Sequence, residues 1–170
     1  MLESPGKTNR ERRERRELLH RRSLPDLHTD RSGRTLIMIL PEDLQQVTWQ
    51  AIRLASKDEA NDALKKGLAD RGITVFEINV GDVRTDKQLL AALANGMHFA
   101  GYFGMNWDAF GECLTDMEWL PARGYVLVLS GSGEMWRDST RTAGKLVESW
   151  LLAAEGWGRG GTPFHLVFVL

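Results

Sequence analysis

Apolar positions along this chain recur with two different periods, and each change of period marks an element. Thr35–Leu40 (TLIMIL) is a short apolar run stopped by Pro41, which reads as a weak strand or as a strap. Trp49, Ile52 and Leu54 fit a strand, although 45–55 can also be read as a helical turn. Ser56 with Glu59 is a capping-box signature, and Ala60, Ala63, Leu64 and Leu68 then follow at helical spacing as far as Gly72. Residues 73–80 (ITVFEINV) are β-branched and alternating, so they predict a strand. Thr85 is placed to cap a helix whose inward positions are Leu89, Leu90, Leu93 and Ala94, ending near Asn95-Gly96.

A second short helix is predicted from Asn106. Residues 125–129 (YVLVL) are continuously apolar, as in a strand buried on both faces. Residues 138–155 predict a helix with Leu146, Val147, Trp150, Leu151 and Ala154 inward, closed by the glycine-rich 156–161. Residues 164–170 (FHLVFVL) predict a last strand. Strands alternating with helices give an α/β expectation: a small parallel sheet of three to four strands, packed by α-helices.

Charge divides the chain. Residues 1–34 hold ten Lys/Arg against six Asp/Glu, whereas 35–170 hold twelve against seventeen. Segment 1–34 is too poor in apolar residues to order itself and is expected to be a disordered basic tail. A nucleic-acid tether is the rival reading, but its interleaved Arg and Glu weaken the field that a phosphate backbone would feel. Residues 35–71 then form a strand-helix extension packed on a domain of 72–170. The acidic body suits a basic partner. The N-terminus lacks the apolar core of a signal peptide, no run is long enough to span a membrane, and Cys113 is the single cysteine. A cytoplasmic location is therefore expected, with no membrane contact.

The chemistry concentrates in 101–119, GYFGMNWDAFGECLTDMEW. Asn106 occupies the N-cap position and Asp108 the first turn, where a carboxylate complements the helix dipole. At helical spacing Trp107, Phe110, Leu114 and Met117 share one face, and Asp108, Glu112, Thr115 and Asp116 the opposite one. Carboxylates repeated at i, i+4 and i+8 repel by a few tenths of a kcal/mol per pair. Folding does not ask for such a row, although most acidic faces are simply solvated. A partner dense in Arg, Lys and His would use it, with carboxylates standing where phosphates normally sit.

The run Tyr102-Phe103-Gly104-x-Asn106-x-Asp108-Ala109-Phe110-x-Glu112-Cys113-Leu114-Thr115 resembles the signature of the barstar (barnase inhibitor) family. The likeness covers 72–170, with the flanking strands and helices in matching order. It implies a non-enzymatic, stoichiometric inhibitor, an immunity protein without cofactor, metal or catalytic residue. The implied partner is a small basic extracellular-type ribonuclease, bound one-to-one by a monomer without direct nucleic-acid contact.

Carried over by position, Tyr102 packs on the enzyme's catalytic histidine, with Phe103 and Gly104 shaping the loop and Asn106 opening the helix. Asp108 meets guanidinium groups, Glu112 mimics a phosphate, and Thr115 and Asp116 lie at the far rim. Two positions depart from the family. Gly111 stands where an exposed tryptophan is usual, and Met105 replaces a charged loop residue. Both favour an alternative: a module of the same fold that binds another toxin or a regulator. The family's later acidic contact has only Glu148 as a candidate.

Other residues read more plainly. Cys113 is expected to be a buried structural thiol, and His98 and His165 core or boundary histidines without metal spacing. Residues 130–133 (SGSG) look like a phosphate loop but lack its Lys-Ser/Thr ending, so a turn is expected. Trp119, Trp136, Trp150 and Trp157 read as core or rim. Asp108 and Glu112 as a glycosidase pair would require a groove that nothing here predicts.

Overall fold

Four of the predicted strands line up as one parallel sheet. The computed structural model describes the backbone of Leu27–Thr29 and Thr35–Ile37, and residues 41–170 except Trp49, Ala100 and Tyr102. The elements in chain order are β1 (Leu27–Thr29), β2 (Thr35–Ile37), α1 (Pro41–Leu44), β3 (Ile52–Ala55), α2 (Asp62–Ala69) and β4 (Ile73–Asn79). They continue with α3 (Asp86–Gly96), α4 (Trp107–Thr115), β5 (Gly124–Ser130), α5 (Ser132–Asp138), α6 (Thr140–Arg159) and β6 (Phe164–Val169).

Strands β1 and β2 form an antiparallel pair, Leu27 opposite Ile37, in a unit spanning Met1–Met38. This pair straddles the boundary at 34/35 that charge and composition alone would draw. The second unit, Ile39–Leu170, holds the sheet in the order β3-β6-β5-β4. Ile73 lies opposite Gly124, Tyr125 opposite Phe164, and Ile52 opposite Leu166, all in parallel register. The fold is therefore α/β with a four-stranded parallel sheet, and 52–55 joins that sheet as an edge strand.

Alternation along the central strands sorts the core by size. Tyr125, Leu127, Leu129, Phe164, Leu166 and Phe168 face one side, where Leu89, Leu93, Phe110, Leu114, Leu146 and Trp150 cover them. Val126, Val128, Val167 and Val169 face the other, under Leu44, Leu64 and Leu68. The large side chains thus take the long helices and the valines take the short ones. Full burial of a Leu or Phe contributes roughly 1.5–3 kcal/mol. Trp150 stacks on Phe164 with ring centroids 4.3 Å apart.

Several local expectations are corrected. Ser56 and Glu59 do make the reciprocal hydrogen bonds of a capping box, but they close a turn. Helix α2 starts later, where the Asn61 side chain accepts from the Leu64 amide at 3.0 Å. Thr85 and Gln88 form a true capping box on α3. The helix expected over 138–155 is α6, which starts two residues later and runs on to Arg159 through Gly156 and Gly158, and the short α5 before it is unexpected. Leu151 points outward at 45 % exposure, because the inward stripe is Thr142, Ala143, Leu146, Trp150 and Ala153.

The 130–133 stretch is only half a turn. Gly131 adopts φ +69° and Ser132 begins α5. A Cβ on Gly131 would come within 2.8 Å of Gly81 Cα, so two backbones pack against each other there. The Ser132 hydroxyl donates to the Val169 carbonyl at 2.7 Å, which ties the loop to β6.

His165 is buried, and its Nε2 lies 3.0 Å from the Gln46 carbonyl, as a donor from the neutral ring. Burial pushes its pKa down. His98, by contrast, is exposed, since the chain leaves α3 there at φ +57° and turns the ring outward.

Candidate functional site: the acidic helix and its supports

Helix α4 is held at both ends and along its inner face. At its start the Asn106 side chain accepts from the Ala109 amide at 2.8 Å and donates to the Gly104 carbonyl at 3.2 Å. Asn106 is thus a positioning residue, capping one of the helix's orphan donors. A Cβ on Gly104 would meet Asn106 Nδ2 at 3.0 Å, so glycine lets the loop close tightly on its cap. Met105 between them takes φ +51°, a left-handed conformation unusual for a side-chain-bearing residue. Phe110 and Leu114 are fully buried and Met117 nearly so, as the apolar face predicts.

Sequence reasoning missed the strongest support, Asp86. This first residue of α3 accepts from Trp107 Nε1 at 2.9 Å, from Thr142 Oγ1 at 2.6 Å and from Lys145 Nζ. One carboxylate therefore joins α3, α4 and α6. These donors, Lys145 foremost, lower the pKa of Asp86 to about 2. Lys145 also sits 5.7 Å from the centroid of the Trp107 ring. The only clue in the sequence is the indole of Trp107, whose N–H needs a partner once it is partly buried. At the other end, Trp157 Nε1 donates to the Leu114 carbonyl at 2.7 Å, satisfying an acceptor in the last turn.

The opposite face of α4 is open. Asp108, Glu112, Thr115 and Asp116 are all exposed, and none of the three carboxylates makes an ion pair among the described residues. Thr115 turns its hydroxyl back to the Glu112 and Gly111 carbonyls, at 2.9 and 3.2 Å, and so presents its methyl. Asp116 ends the helix and accepts from the Glu118 amide at 3.2 Å. A Cβ on Gly111 would meet nothing within 4 Å, so the surface beside Glu112 has an empty place.

Of the remaining loop residues, Phe103 packs inward, 5.1 Å from the Phe99 ring, and serves the core. Tyr102 lies outside the described residues. Glu148 is exposed on α6. Cys113 is half-exposed rather than buried, because it lies on the flank between stripe and acidic face. Partial burial, with Glu112 and Asp116 beside it, raises its pKa and keeps the thiol protonated.

A preorganised helix with unneutralised carboxylates outward can bind cations on another protein. Among the described residues no group of His, Cys, Asp and Glu could hold a metal ion, and no helix is long and apolar enough to cross a membrane.

Residues 73–169 match the model of the family described as Barstar (barnase inhibitor), over more than half of the chain. The chain belongs to the barstar family. The match runs from β4 to β6 and takes in α4 with both of its anchors, Asp86 and Trp157. Comparison with curated proteins gives no match. Strand β3 and helix α2 precede the matched barstar region and extend its sheet by one edge.

Proposed function

We propose that this protein is a stoichiometric inhibitor of a barnase-type ribonuclease and that it acts by occluding the enzyme's active site with α4 and the loop before it. The observation that carries this reading is the outward row Asp108, Glu112 and Asp116, unpaired among the described residues on a helix fixed at both ends. Carboxylates about one helical turn apart mimic successive phosphates to a site built from Arg, Lys and His. Their fixed backbone lowers the ordering cost of binding. Opposite fields steer the encounter, so association slows as salt rises. The protein contributes no chemistry of its own and works in the cytoplasm as a monomer in a one-to-one complex.

The test is a titration of small basic ribonucleases with the full chain at low and high ionic strength. Stoichiometric loss of RNA cleavage, with association weakened by salt, supports the reading. Undiminished cleavage across the panel overturns it. The empty place at Gly111 favours a second reading, in which the same face serves another toxin or a regulator. A pull-down from the source cell separates the two, since the first recovers a ribonuclease and the second does not.

A further inference from the structure

Strand β4 is the second edge of the sheet, and among the described residues nothing pairs with its outer side. Parallel pairing uses the backbone groups of alternate residues. The amide of Val80 bonds to Ser130, and the strand's even-numbered residues continue that ladder toward β5. The N–H and C=O groups of Ile73, Val75 and Glu77 therefore point away from the sheet. Among the described residues none of them has a hydrogen-bond partner.

Beside this edge runs a groove of about 660 Å³, floored by Ile73, Thr74 and Val75 and walled by α2 and by Pro121-Ala122. Its lining carries Lys65, Lys66 and Glu77. Lys65 is held by Asp62 and Glu77, both at 2.8 Å, whereas Lys66 makes no ion pair among the described residues. Arg123, likewise without an ion pair, lies over Gly72 at the groove's end, where a Cβ would come within 3.1 Å of Arg123 Cδ. The two cations without ion pairs, Lys66 and Arg123, contrast with the carboxylates on the outer face of α4.

We propose that β4 is a docking edge for an extended acidic segment of another protein, which adds to the sheet as a fifth strand. The unpaired backbone groups supply the ladder, and the apolar floor takes alternate side chains of the guest. Carboxylates on the segment meet Lys66 and Arg123. This surface is distinct from α4 and does not depend on the ribonuclease reading.

The probe is a short alternating Glu–Val peptide, with its Lys–Val counterpart as control, added to the full chain and followed by amide hydrogen exchange. The expected result is slowing of about tenfold or more at Ile73, Val75 and Glu77 with the acidic peptide only. Lys66→Glu combined with Arg123→Glu should weaken its binding by about tenfold. Val75→Pro should abolish it, since proline removes an outward N–H that β5 does not use. If that variant fails to fold, an acidic peptide N-methylated on alternate amides replaces it and should not bind the unaltered protein. Protection at β3 instead of β4, equal binding of both peptides, or no binding of either overturns the proposal.

Discussion

Replacing Asp86 with alanine removes the one carboxylate that α3, α4 and α6 share. Three donors then lose their acceptor: the Trp107 indole, the Thr142 hydroxyl and the Lys145 ammonium. What all three donors give the ionised carboxylate can be sized from its pKa, which falls from 3.8 to about 2. By linkage that difference corresponds to about 2.4 kcal/mol. With Asp86 35 % and Lys145 41 % exposed, solvent screening reduces it to about 1 kcal/mol. Leaving the part-buried indole and hydroxyl donors without an acceptor adds roughly another 1 kcal/mol of desolvation cost.

Asp86→Ala should therefore cost about 2 kcal/mol in urea denaturation and lower Tm by about 5–10 °C. Asp86→Asn keeps an acceptor for Trp107 and should cost about half as much. Because the folded pKa is depressed, the ionic contribution is complete above about pH 4 and is lost as pH falls toward about 2. A loss below about 0.5 kcal/mol for the alanine variant would show that the hub does not hold the helices, and the reasoning would fail.

Three further outcomes follow from single positions. Gly111→Ala should stabilise the protein by about 0.5–1 kcal/mol in the same assay, since its Cβ meets open space inside a helix. Gly131→Ala should destabilise it by about 2 kcal/mol or more, from the left-handed backbone and the contact with Gly81, seen as a lower Tm. His165, buried with a lowered pKa, binds its proton more readily when unfolded, so stability should fall as pH drops through about 6.5. Between about pH 7 and pH 5 the native protein should lose more stability than His165→Met in paired urea titrations.

Much of the fold could be read from period alone, because the central strands are buried on both faces. A continuous run such as YVLVL has few other uses. Alternation did not show that its leucines and valines face different helices, since both are simply apolar. Edges were harder. Ser56 and Glu59 satisfy the capping pattern on a turn, and Asn61 caps the helix that follows. Gly156 and Gly158 look like a stop, yet α6 continues to Arg159, where tertiary packing overrides local propensity.

At the site, helical spacing placed Asp108 and Glu112 outward and Phe110 and Leu114 inward without further help. The Asp86 hub was invisible because its partners lie 21, 56 and 59 residues away, and no local pattern connects them. Phe103, grouped with the binding loop by resemblance, packs against Phe99 because a nearby aromatic cluster receives it.

The measurement that bears most directly on the central claim is the affinity of the full chain for a small basic ribonuclease, with Glu112→Gln and Asp108→Asn titrated beside it. Both substitutions keep side-chain size and remove only charge from an exposed face. Each should weaken the complex by at least about tenfold while leaving Tm within about 2 °C. A tight complex that tolerates both substitutions unchanged would contradict the account.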